Sequence, residues 1–210
     1  MKGIILSSEM IQAVLDNRKT MTRRVIKING QPITSPDESL ELTTEGLIYH
    51  SVNSMSGYYK LPYKPGDILY VKETWQDLSD NEGEYLYFAE GNKGLADRGW
   101  GALTINDIRW RPSIFMPREA ARIFLLVKDV RVERLQDITE EDAKAEGCHE
   151  RLLNDGWKNI GKLTARDDFI MLWEYLNAKR GYGWDTNPWV WVIEFKRITK
   201  EEALRLEGTT

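Results

Sequence analysis

The chain has 210 residues, of which 41% are hydrophobic and 30% charged, with 29 basic against 33 acidic side chains; that apolar share supports a folded core and excludes a wholly disordered chain. The longest unbroken apolar runs, Ile123 to Val127 and Trp189 to Ile193 among them, are five residues each, far short of the roughly 20 a membrane helix needs. The single cysteine, Cys148, excludes an internal disulfide, and with only His50 and His149 beside it a structural zinc site is not expected.

Taken in chain order, Gly3-Ile4-Ile5-Leu6 reads as a short buried strand. Ser7 or Ser8 then caps a helix in which Met10, Ile11, Val14 and Leu15 form one stripe, ending near Asn17. Met1-Lys2-Gly3, with Glu9 close behind, lacks the pattern of a secretory signal, so a cytoplasmic protein is expected. Residues 17 to 27 carry five basic side chains (Arg18, Lys19, Arg23, Arg24, Lys27) and no acidic one, a local excess suited to an anion such as a nucleotide phosphate. Residues 29 to 62 collect turn-forming residues with little periodicity and read as an insertion. Lys64-Pro65-Gly66-Asp67 has the Pro-Gly pair of a type II turn and leads into the strand Ile68-Leu69-Tyr70-Val71.

Residues 77 to 107 read as a hairpin-bearing insertion around Tyr85-Leu86-Tyr87-Phe88. A long strand begins at Ile123, buried at first and half exposed from Val130 on, with the geometry of a barrel strand. From Arg109 to Arg134 there are seven basic residues against three acidic, whereas 137 to 155 holds seven acidic and two basic. Thr139 and Asp142 cap a helix that Gly147 ends, and Thr164 and Asp167 cap a second, in which Phe169, Leu172, Trp173 and Leu176 share a core-facing side. Residues 148 to 163 form a third insertion. The last strand, Trp189 to Phe195, is apolar on both faces, and 199 to 210 is a tail. The fold class is therefore α+β: a small mixed sheet or closed barrel with peripheral helices and loop insertions, organised as one domain over 1 to 198.

Two places can carry chemistry. Asn17-Arg18-Lys19-Thr20-Met21-Thr22-Arg23-Arg24 packs one lysine, two threonines and three arginines into eight residues. Like charge and partial burial disfavour the ammonium form of Lys19, which makes it a base, with the Thr22 hydroxyl as the natural nucleophile. Their spacing brings them together only if the chain turns; the bland reading is a solvated basic loop with Lys19 fully charged. Glu146 closes its helix just before Gly147, where the negative end of the helix dipole disfavours a carboxylate, and it suits proton exchange. An exposed glutamate at a frayed helix end is the competing reading. Cys148-His149-Glu150 is no thiol centre, because adjacent residues rarely aim at one point.

Lys19-x-x-Thr22-x-Arg24, Lys64-Pro65-Gly66-Asp67-Ile68-Leu69 and the strand ending Val192-Ile193-Glu194-Phe195-Lys196 together resemble the ASCH domain family, over roughly residues 2 to 28, 62 to 75, 110 to 147 and 188 to 198. That family has a PUA-like β-barrel. Its motif G-x-K-x-x-E-x-R has threonine for glutamate in the bacterial N4-acetylcytidine amidohydrolase branch, as Thr22 does here, while Asn17 replaces the motif glycine. The resemblance implies Lys19, Thr22 and Glu146 as the catalytic set of a metal-independent, cofactor-free amidohydrolase acting on an N4-acylated cytidine-type nucleoside or nucleotide. Arg24, at the motif's arginine position, holds the substrate or braces the lysine loop, and Arg18, Tyr70, Trp110 and Arg111 are the other candidate substrate contacts. Trp110-Arg111-Pro112-Ser113-Ile114-Phe115-Met116-Pro117-Arg118 is similar to larger phage and prophage members.

The alternative is a noncatalytic module that reads RNA or single-stranded DNA. In it Arg109, Arg111, Arg118 and Arg122 meet phosphates, and Trp75, Trp100, Trp110, Trp157 or Trp184 stacks on bases. Trp173, Trp189 and Trp191 belong to the core by periodicity.

Overall fold

The computed structural model describes residues 1–35, 37–43, 46–51, 54–78, 84–154 and 159–208. Strand β1 (Lys2–Ile5) leads into α1 (Ser8–Leu15), whose N-cap Ser7 accepts from the Met10 amide at 3.4 Å and which buries Ile11, Ala13 and Val14. The helix stops because Asn17 enters the left-handed region at φ +57°, which asparagine tolerates better than most residues. The chain then turns into β2 (Met21–Val25).

The segment expected as the first insertion holds a small hairpin, β3 (Lys27–Ile28) with β4 (Gln31–Pro32), and an antiparallel sheet of β5 (Ser39–Leu42), β6 (Leu47–Ser51) and β7 (Ser54–Tyr59). Gly66 sits at φ +90°, the conformation a type II turn requires at its third position, and delivers the chain into β8 (Ile68–Lys72). The second insertion contains the hairpin of β9 (Trp75–Asp77) and β10 (Tyr85–Tyr87), followed by α2 (Gly91–Asp97).

The long strand β11 (Phe124–Arg134) precedes α3 (Glu140–Ala145). Thr139 Oγ accepts from the Asp142 amide at 3.1 Å to open α3, and Gly147, at φ +93°, closes it. The third insertion is a hairpin of β12 (Arg151–Asn154) and β13 (Asn159–Leu163). Helix α4 (Ala165–Asn177) starts with the reciprocal Thr164–Asp167 cap and buries Phe169 and Trp173. Strand β14 (Trp189–Ile198) is buried on both faces over most of its length. The segment expected as a tail instead carries α5 (Lys200–Glu207), capped by Thr199 and anchored by the fully buried Ala203.

The architecture is mixed α+β, with one five-stranded mixed sheet in the order β1-β8-β11-β14-β2. β1 and β8 are parallel; β8 with β11 and β14 with β2 are antiparallel. The chain divides into two compact units. One comprises Met1–Asn17, Gly66–Leu126 and Lys196–Thr210; the other comprises Arg18–Pro65 and Val127–Phe195. The first packs Ile68, Trp75, Met116, Ala120 and Phe124 against Ile198 and Ala203. The second packs Met21, Leu135, Ile138 and Ala143 against Phe169, Trp173, Val190 and Val192. Each large side chain so buried contributes about 1.5–3 kcal/mol. Among the described residues no helix is long and apolar enough to cross a membrane.

Candidate functional site

The second unit gathers the chemistry. After Asn17 the backbone runs antiparallel to the end of α3, where Lys19 and Glu146 form a β-bridge. The Thr20 amide donates to the Ala145 carbonyl at 2.8 Å, Lys19 Nζ to the Glu146 carbonyl at 2.8 Å, and an Arg18 guanidinium N–H to the Gly147 carbonyl at 3.1 Å. Three consecutive carbonyls that a helix end leaves without an intrahelical partner are thus taken by three consecutive residues of the basic loop. Two of the donors are cations placed at the negative end of the helix dipole.

Lys19 Nζ also donates to Glu146 Oε2 at 2.7 Å. Lys19 is 2% exposed and Glu146 4%, which corrects both bland expectations: the lysine is not on a solvated loop, nor the glutamate at a frayed end. Withdrawing two such ions from water costs several kcal/mol each and is offset only when hydrogen bonding is nearly complete. The surroundings provide it. Arg23 lies 3.5 Å from Glu146 Oε1 and reaches Asp142 at 2.6 Å and Glu133 at 3.0 Å. Arg131 extends the network to Glu133, Glu194 and Asp142.

Sequence reasoning passed over Arg23, which turns out to be the cation that holds the second Glu146 oxygen. Its signal was the alternation of β2, which puts Met21 and Arg23 on one face and Thr22 and Arg24 on the other. Thr22 is 2% exposed and opposite Ile193 in the register. No hydrogen bond joins it to Lys19 or Glu146 among the described residues. Arg24 is half-buried, and burial lowers its pKa from the usual arginine value, opposed by the nearby charge of Glu146 and reinforced by that of Arg180.

The remaining expected substrate contacts, Tyr70, Trp110 and Arg111, belong to the other unit and have packing partners there. The Tyr70 ring covers Gly3 so closely that a Cβ at Gly3 would fall 3.1 Å from it. Trp110 Nε1 donates to the Ile105 carbonyl at 2.6 Å and its ring meets Phe88 edge-on. The Arg111 guanidinium lies 5.2 Å from the centroid of the Trp75 ring. Two more arginines of the nucleic-acid reading also have partners, Arg118 with Glu207 and Arg122 with Glu73 and Glu90. Trp157 lies outside the described residues.

Burial, with Asp168 and Glu146 nearby, pushes the Cys148 thiol up to about 12, which suits packing and not nucleophilic attack. Among the described residues no group of three or more His, Cys, Asp or Glu side chains could hold a metal ion. Compared with known proteins, the chain matches no family model, no curated protein and no solved structure.

Proposed function

We propose that the second unit hydrolyses an acylated exocyclic amine of the N4-acetylcytidine type, with Lys19, Thr22 and Glu146 as the catalytic set, on a PUA-like fold of the ASCH kind. The observation that carries the reading is the buried 2.7 Å hydrogen bond from Lys19 Nζ to Glu146 Oε2, made between residues 127 positions apart.

The reading needs the bridging proton on Glu146, so that the Lys19 amine acts as base and the Glu146 carboxyl as acid. The Thr22 hydroxyl gives its proton to Lys19 as its oxygen bonds to the acetyl carbonyl carbon. The carbon–N4 bond breaks as Glu146 protonates N4, and cytidine departs. Water then attacks the threonyl ester, passing one proton to the Glu146 carboxylate while the Lys19 ammonium reprotonates the threonine oxygen; acetic acid leaves, giving its remaining proton to solvent, and the starting protonation of the pair returns. The step this adds to the observed geometry is a rearrangement that brings Thr22 Oγ, on the face of β2 opposite Arg23, within reach of Lys19 Nζ.

The experiment is chromatographic detection of cytidine released from N4-acetylcytidine. Wild-type protein is expected to exceed Lys19→Ala and Glu146→Gln by about 10²–10⁴-fold, the range for general acid–base groups. Equal rates for wild type and Lys19→Ala would contradict the assignment. The nucleic-acid alternative is less well supported, because Arg111 and Arg118 are already engaged within the molecule.

A further inference from the structure

The first unit contains a second polar constellation that the hydrolysis reading does not use. A cavity of about 390 Å³ is lined by Leu15, Asn17, Arg122, Ile123, Arg197 and Ile198, with Thr199 and Glu202 completing it. Its volume lies within the range of small-molecule sites. Leu15, Ile123 and Ile198 give it apolar walls, and the polar groups are mostly donors.

Arg122 is fixed with unusual completeness. Glu73, 1% exposed, accepts from Nε and from a terminal nitrogen at 2.9 Å each; Glu90 accepts from the other at 2.5 Å; and the guanidinium carbon lies 4.0 Å from the Tyr87 ring centroid. A guanidinium has five N–H donors, so these three bonds leave two without a partner among the described residues. Burying a carboxylate to this degree is poorly repaid as stabilisation; what it secures is the direction of Arg122. Across the cavity Arg197 spends a single N–H on the Leu15 carbonyl, at 3.0 Å, and the Asn17 side-chain amide has no partner among the described residues. Glu202, the carboxylate in the lining, is 3.7 Å from Lys196.

Two guanidiniums and an amide that line one cavity with donors to spare call for a ligand group with several acceptor oxygens and negative charge. We propose that this cavity binds the phosphate group of a small phosphorylated ligand of nucleoside monophosphate size. A phosphate supplies three acceptor oxygens to donors of this fork geometry, and the apolar walls accept the rest of the ligand. The site is independent of the hydrolysis reading.

The test is calorimetric titration at low ionic strength with adenosine monophosphate, inorganic phosphate and adenosine. The monophosphate is expected to bind, phosphate more weakly, and adenosine least. Exposed Arg197, changed to Gln, should weaken the monophosphate about tenfold, the loss of one charged hydrogen bond. Glu202→Gln should tighten it, and Lys93→Gln, at an exposed cation outside the lining, should leave it unchanged. Adenosine binding as tightly as its monophosphate, no binding by either phosphorylated probe, or wild-type affinity in Arg197→Gln would overturn the proposal. An equal loss of affinity in Lys93→Gln would also overturn it, by showing that overall positive charge and not this cavity attracts the probe.

Discussion

Replacing Lys19 by methionine strands the Glu146 carboxylate in a site where it is 4% exposed, with Arg23 at 3.5 Å as its nearest remaining cation. Breaking a buried pair from one side costs about 3–5 kcal/mol, whereas removing both charges together is often close to neutral. Urea denaturation should therefore show Lys19→Met strongly destabilised and the double variant Lys19→Met/Glu146→Leu recovering much of the loss. Additive losses would mean that the two side chains do not interact. Cys148 supplies a second test. Burial raises its thiol from an ordinary 9.0 to about 12, so the folded state holds its proton more tightly than the unfolded chain. The corresponding stabilisation is fully present below about 9 and is lost as pH rises toward 12. Iodoacetamide should leave Cys148 unmodified in the native protein at pH 8 and label it on unfolding; fast native labelling would contradict this. At this scale Lys19, Thr22 and Glu146 were named as a set only through the motif resemblance, because residue type and spacing alone favoured a solvated basic loop. Arg23 was not, since its meaning depends on carboxylates about 110 positions or more away, at Glu133, Asp142 and Glu146.

Helices α3 and α4 are joined through a cap. Glu140, in the first turn of α3, accepts from the amides of Ala165 and Arg166 at 2.8 and 2.9 Å, so one helix's carboxylate satisfies donors at the start of the other. The Arg166 amide, then that of Ala165, holds the Glu140 carboxyl below its usual 4.5. A depressed carboxyl contributes stability that is present above its unfolded value and is lost as pH falls through the folded one. Glu140→Gln should flatten the acid limb of the stability curve, measured by thermal unfolding below pH 5, and Thr164→Ala should cost about 1 kcal/mol at all pH values. An unchanged acid limb in Glu140→Gln would show that the bridging cap contributes nothing. Capped helices were readable because donor and acceptor lie three residues apart. The same signature stands at Thr199 and Glu202 and opens α5, a helix hidden by its polar composition and terminal position. The insertions were readable only as irregular sequence, since two- and three-residue strands such as β3 and β9 are too short to show a period.

Across the whole molecule, each compact unit is assembled from stretches far apart in sequence: three for the unit that holds the cavity, two for the unit that holds Lys19 and Glu146. Periodicity acts within a window of a dozen residues. It predicted buried strands at both ends and the middle of the chain but carries no information that β1 pairs in parallel with β8, or that the division falls at Asn17 and again inside β11 and β14. What survives from the sequence is the mixed α+β class and the candidate lysine–carboxyl pairing. The central claim is that Thr22 is the nucleophile this pair serves, and the most direct measurement is cytidine release by Thr22→Ser and Thr22→Val. Serine keeps the hydroxyl, while valine keeps the shape of a side chain that is 2% exposed and removes only the reacting oxygen. The account predicts measurable activity in Thr22→Ser and, in a folded Thr22→Val, a rate no higher than that of Lys19→Ala. Wild-type turnover by Thr22→Val would contradict it.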